Sequence, residues 1–176
     1  MNKARVTALV VMSAALAFGA PQQKKDWVKY NSAEGRYSVL FPNEPELETQ
    51  EVTAAATGEK FTQYRATSYY SANTYGVAYF DHRGGTFSFD EARDGVIASL
   101  KATLLAEKAI SLGRYRGREL RFSAKVGVIE VFVLMRYYVV GKRIYIVQFA
   151  YQRSSGNSSA EKAAKFFDSF TVVEPQ

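Results

Sequence analysis

The chain has 176 residues and no cysteine, which excludes a disulfide framework, a thiolate metal site, a cysteine nucleophile and the lipid-bearing cysteine of a bacterial lipoprotein. At 47% hydrophobic and 14% aromatic residues it has the composition of a globular protein, and its length suits one domain with a core that needs no staples. The formal net charge of +6 is modest and fits weak attraction to an anionic surface, no more.

Residues 1–19 read as a secretion signal. Lys3 and Arg5 form a positive start, and Val6 to Phe18 is an apolar run broken only by Thr7 and Ser13. Ala17-Phe18-Gly19 puts small residues at the −3 and −1 sites for cleavage before Ala20, with Ala15-Leu16-Ala17 as a second candidate. At about 1.5 Å per residue the run is too short to span a hydrocarbon core of roughly 30 Å. Cleavage would remove two basic and no acidic residues, and would deliver the chain to the periplasm or the cell exterior. Residues 20–25, with Pro21 and Lys24-Lys25, form a short polar leader, and residues 26–176 form a single domain.

Strand signals dominate that domain. Tyr37 to Phe41 is a short strand stopped by Pro42 and Pro45. Thr49 to Ala55 alternates weakly into a turn at Gly58-Glu59, Phe61 to Ser71 is rich in Tyr and Thr, and Asn73 turns into Tyr75 to Asp81. Ser88-Phe89-Asp90-Glu91 has the spacing of a capping box, and Phe89, Ala92, Val96, Leu100 and Leu104 recur at helical intervals, which predicts a helix over 89–107. Ile110 to Leu112 is a strand. Gly113 and Gly117 bracket a tight turn, Glu119 to Ala124 returns, and Lys125-Val126-Gly127 turns again. Val128 to Val140 is the longest strand, and Gly141-Lys142 fits a type II′ turn into Arg143 to Tyr151. Ser158 to Asp168 is a second helix, and Thr171 to Val173 adds an edge strand.

The hairpin across Gly141-Lys142 carries bulky apolar groups on both faces. A two-residue turn sets Val140 opposite Arg143, Tyr137 opposite Ile146, Leu134 opposite Phe149 and Glu130 opposite Arg153. A sheet with one wet face would alternate more cleanly. Two helices are available for two apolar faces, so the expected fold class is α+β: an antiparallel β-sheet with helices packed on both faces, an α-β-α sandwich.

Several motifs are similar to those of PsbP-like domains. They are Trp27-x-x-Tyr30 with Gly35-Arg36-Tyr37-Ser38-Val39-Leu40-Phe41-Pro42, then Gly113-x-x-x-Gly117-Arg118-Glu119-Leu120, Arg136 to Tyr145, and Phe166-Phe167-Asp168-Ser169-Phe170. The resemblance covers nearly all of the chain after residue 26. It implies the fold of that superfamily and a role in protein binding in place of catalysis, and it carries no functional residue across.

Five groups of residues are candidates for chemistry. His82, the sole histidine, in Asp81-His82-Arg83-Gly84-Gly85, offers a general base or a metal ligand, or is a polar loop residue, the reading favoured here. The same glycines could cradle an anion, yet they lack the spacing of a phosphate loop. Arg114, Tyr115, Arg116, Arg118 and Arg121 make the strongest local charge feature, a possible partner- or anion-binding patch or a solvated hairpin tip. Asp90, Glu91 and Asp94 suit a helix N-terminus better than a paired-carboxylate site. Tyr64, Tyr69, Tyr70, Tyr75 and Tyr79 could line a binding face or simply serve as strand residues.

No catalytic, metal or cofactor-binding constellation is legible. The expected function is that of an exported, non-catalytic binding or accessory module docking on another envelope or secreted protein. Such a module would bind no nucleic acid and would touch a membrane surface weakly at most. The alternative is a small-ligand binder or minor hydrolase with a pocket near His82.

Overall fold

The computed structural model describes residues 26–53, 60–84, 86–152 and 158–173. The expected signal, its leader, the Gly58-Glu59 turn and the Glu130–Arg153 pairing fall wholly or partly outside these residues. Two antiparallel sheets organise the described residues. The larger has strand order β3-β4-β5-β9-β8-β7-β6, made of β3 (Glu46–Thr53), β4 (Lys60–Tyr70), β5 (Asn73–Asp81), β6 (Thr103–Leu112), β7 (Tyr115–Val126), β8 (Ile129–Val140) and β9 (Arg143–Gln152). The smaller joins β1 (Val28–Ser32), β2 (Tyr37–Phe41) and β10 (Thr171–Val172) in the order β1-β2-β10. Two helices accompany them, α1 (Phe89–Leu100) and α2 (Ser158–Asp168).

The β8–β9 hairpin has the register its turn dictates. Val140 pairs Arg143, Tyr137 pairs Ile146, Met135 pairs Gln148, Leu134 pairs Phe149 and Phe132 pairs Tyr151. Gly141 has φ +60°, as the first position of a type II′ turn requires. Because side chains alternate along each strand, the hairpin feeds two separate cores. Leu120, Phe122, Met135, Tyr137, Ile144 and Ile146 pack with Ala92 and Val96 of α1. On the other face Tyr75, Val77, Tyr145, Val147 and Phe149 pack with Ala163, Phe166 and Phe167 of α2 and with Tyr37, Val39 and Phe41 of β2. That second face is covered by the small sheet as well as by α2. The molecule is therefore mostly antiparallel β-sheet with two short helices, and the expected α-β-α sandwich is met only in part.

α1 starts where its cap predicts, with Ser88 Oγ accepting from the backbone N–H of Glu91 at 3.2 Å. It ends seven residues earlier than the periodicity suggests. Lys101 turns left-handed at φ 49°, and the Ala102 N–H closes the helix on Ile97 O at 3.0 Å. Thr103 to Leu112 then runs as a strand along β7, with a bulge between Leu104 and Ala106. Ten residues of strand pairing outweigh two further helical turns, whose outer positions would have had nothing to pack on.

A second correction concerns Gly117. The tight turn is at Gly113-Arg114, with Gly113 at φ +58°, and Gly117 lies inside β7. It is needed there for space. A Cβ at this position would sit 2.5 Å from Tyr137 O and 2.7 Å from the Tyr138 ring. That ring stacks on Phe170 at 5.9 Å, and Phe170 packs in the core that α2 helps to build.

Candidate functional site

Making β7 one strand from Tyr115 splits the arginine segment between the two faces of the sheet. Arg116 and Arg118 share the side of Leu120 and Phe122, facing α1. Both guanidiniums lie 5.4 Å from the Phe89 ring centroid, and Arg116 also reaches Phe87 O at 3.4 Å. Arg118 pairs with Glu107 and, at 3.3 Å, with Asp90. Arg93 adds bonds to Asp90, Asp94 and Glu107. Asp90 and Asp94 thus serve an ion-pair network between α1, β6 and β7. Arg114 sits at the β6–β7 turn, with its guanidinium 5.3 Å from the Tyr115 ring centroid. Both border a groove of about 240 Å³ shared with Leu112, Thr171 and Val172. Arg121 alone among the arginines of β7 points to the α2 side.

On that side two strand registers assemble a charged row across three strands. Lys108 of β6 pairs Glu119 of β7, and Glu119 pairs Arg136 of β8. Glu119 is 2% exposed. Its Oε2 accepts from Arg136 Nε at 2.8 Å, and its Oε1 lies 3.2 Å from Lys108 Nζ and 3.5 Å from Arg121 Nε. Burial alone would raise the Glu119 pKa. The hydrogen bonds from Arg136 and Lys108 outweigh it and hold the carboxyl below its ordinary value. Arg136 also sits over the Phe167 ring, 4.3 Å from its centroid, so helix and sheet both hold it.

α2 covers this row only in part. Ala160, Ala163, Ala164 and Phe167 recur at helical spacing along the side of α2 that borders the row. Phe167 packs on Arg136, and the short alanine side chains leave the space beside it unfilled. The result is a groove of about 400 Å³ lined by Lys108, Glu119, Arg121 and Arg136, with Leu134, Phe149, Tyr151 and Phe167 as its apolar surface. Ser159, in the first turn of α2, also lines it, and among the described residues its buried Oγ has no hydrogen-bond partner. Sequence reasoning included Arg121 and missed Lys108, Glu119 and Arg136. Counting back from the Gly113-Arg114 and Gly127-Val128 turns would have aligned all three.

The remaining candidates occupy structural positions. His82 donates its backbone N–H to Lys142 O at 2.8 Å, sets its ring edge-on to Phe87, and lines neither groove. Its neighbour Asp81 receives a forked pair of bonds from Arg143. Tyr75 and Tyr79 are buried in the core, and Tyr64 stacks on Tyr79 at 4.9 Å. Among the described residues no group of three His, Cys, Asp or Glu is placed to hold a metal ion.

Comparison with solved structures identifies the class of fold. The solution structure of cyanobacterial PsbP (CyanoP) from Synechocystis sp. PCC 6803 superposes with a TM-score of 0.54 and 13% identity, over 89% of this chain and 97% of that one. The chain has a PsbP-like fold. Two further structures are more distant. One is PA94 from Pseudomonas aeruginosa, described as a protein of unknown function and putative regulator, with TM-score 0.44 and 9% identity over 85% of this chain and 99% of that one. The other is LpqN from Mycobacterium tuberculosis, described as involved in cell envelope biogenesis, with TM-score 0.45 and 8% identity over 85% and 91%. No protein-family model matches the sequence, and no curated protein does.

Proposed function

We propose that this protein is an exported, non-catalytic accessory module that docks on another protein of the cell envelope through the groove between α2 and the sheet. The observation that carries this reading is the cluster of Lys108, Arg121 and Arg136 around the single buried carboxylate of Glu119, beside an alanine-lined helix. It places surplus positive charge at the mouth of an apolar recess, which suits recognition of an acidic partner. Export is supported by Lys3, Arg5 and the apolar run to Phe18. Among the described residues no helix is long and apolar enough to cross a membrane. The arginines of β7 are divided between two faces, which does not suit a continuous phosphate-tracking strip, so nucleic acid is not the proposed partner.

The test is photo-crosslinking in the producing cell, with a photoreactive residue in place of Ala160 at the groove and a control at Lys29 on the small sheet. The expected result is one dominant adduct from position 160 that the Arg121→Glu change abolishes. Equal labelling from both positions, or an adduct indifferent to Arg121→Glu, would count against the groove.

A further inference from the structure

We infer that the groove receives a carboxylate joined to an apolar or aromatic side chain, as a C-terminal apolar residue of the partner would present it. This rests on the reading of the groove as the docking surface. Arg136 is committed, held by Glu119 Oε2 on one side and by the Phe167 ring on the other. Lys108 and Arg121 are not equally committed. Their side chains are 59% and 53% exposed, and Glu119 Oε1 engages each of them at one nitrogen. An ammonium carries three donors and a guanidinium five, so both keep donors for a second acceptor. The two cations already converge on one carboxylate oxygen, and the same convergence at the mouth suits a second carboxylate.

The apolar part of the ligand has its own place. Leu134, Phe149, Tyr151 and Phe167 form one surface of the recess, and Ala160, Ala163 and Ala164 leave the room. Its volume of about 400 Å³ falls within the usual range for ligand sites, near the lower end. Ser159 supplies the independent sign of a missing polar partner. It is 3% exposed and borders the recess, and among the described residues its Oγ has no hydrogen-bond partner. A buried hydroxyl without a partner is disfavoured, and a backbone carbonyl of an entering chain offers it an acceptor.

The experiment is an NMR titration of the uniformly 15N-labelled domain with four probes: N-acetylphenylalanine, its neutral amide N-acetylphenylalaninamide, acetate, and phenyl phosphate. The expected result is that N-acetylphenylalanine shifts the amide signals of Lys108, Arg121 and Ser159. It should bind on the order of tenfold more tightly than the amide or acetate. Arg121→Gln and Lys108→Gln should each weaken it several-fold. Ala164→Leu, which keeps every charge and fills the recess from an exposed helix position, should abolish it; this second kind of variant keeps the test sharp if a charge variant folds poorly. Equal binding of acid and amide, or shifts confined to residues outside the groove, would overturn the assignment. Tighter binding of phenyl phosphate than of N-acetylphenylalanine would overturn it in favour of a phosphoester. Absence of probe binding together with a persistent adduct from position 160 overturns the ligand chemistry and spares the docking reading. Probe binding with no adduct does the reverse.

Discussion

Arg143 forks onto Asp81, its cross-strand partner, with Nε 2.8 Å from Oδ1 and Nη2 3.0 Å from Oδ2. Its remaining terminal nitrogen, Nη1, reaches Glu34 O at 2.6 Å, between β1 and β2, and the guanidinium lies 4.7 Å from the Tyr79 ring centroid. One side chain thus ties the small sheet to the ends of two central strands of the large one. The neighbouring Tyr145 hydroxyl donates to Gly35 O at 2.6 Å and completes the clasp.

The clasp predicts a pH-dependent contribution. The hydrogen bonds from Arg143 hold the Asp81 carboxyl below its ordinary value. A depressed carboxyl stabilises the fold above its unfolded pKa, about 3.9, and the contribution is lost as pH falls through the folded value. Asp81 is more than half exposed, so solvent screening limits its share to under about 1 kcal/mol. Urea unfolding should show Asp81→Asn slightly destabilising at pH 7, with the penalty shrinking as pH falls below about 3.9. A penalty that stays constant as pH falls from 7 through the acid range would mean the carboxylate charge is not its source.

Glu119 should matter more, because it is buried among cations. Glu119→Gln leaves Arg136 without its counter-ion and should cost on the order of 3 kcal/mol at pH 7. Its carboxyl is also held below its ordinary value, so the sign is the same: its stabilisation is complete above about pH 4.3 and lost on acidification. Chemical denaturation from pH 7 to pH 3 should give a shallower loss of stability in Glu119→Gln than in the parent.

Among the described residues the buried hydroxyl of Tyr137 has no hydrogen-bond partner, and burial raises its pKa. Tyr137→Phe should therefore leave stability unchanged or raise it by about 1 kcal/mol. Tyr137→Ala should cost about 3–5 kcal/mol through the cavity it opens. A large loss in Tyr137→Phe, measured by thermal or urea unfolding, would show that the hydroxyl has a bonding role.

Gly117 and Gly84 make a contrasting pair. A Cβ at Gly117 meets backbone at 2.5 Å, whereas one at Gly84 meets nothing within 4 Å. Gly117→Ala should cost on the order of 1–3 kcal/mol, and Gly84→Ala should be neutral to within about 0.5 kcal/mol. Comparable melting temperatures for the two variants would show that the β7–β8 contact relaxes freely.

Processing is checked by intact mass. The secreted protein should begin between Phe18 and Pro21, after removal of Lys3 and Arg5 with the apolar run. A mature protein that starts at Met1 would refute the secretion signal.

Local patterns determined much of this protein. The Gly141-Lys142 turn and strict alternation set the β8–β9 register residue by residue, since a slip of one position would turn every apolar face outward. The Ser88 cap and the Ser158 to Asp168 helix were legible for the same reason: capping and helical spacing act within a few residues. The alternation of Val28, Tyr30 and Ser32 marks β1 by the same local rule. Other features depended on distant partners. Leu104 suits a helix as well as a strand by periodicity, and only pairing with β7 decided for the strand. The small sheet joins residues near the start of the domain to Thr171 and Val172 near its end. The arginine segment was visible as composition, but its division between two faces followed from where β7 begins. The groove required two strand registers, plus a helix whose short alanine side chains leave space beside the charged row. Lys108, Glu119 and Arg136 lie on three strands and carry no signal as neighbours in sequence; cross-strand pairing alone brings their charges within hydrogen-bond reach.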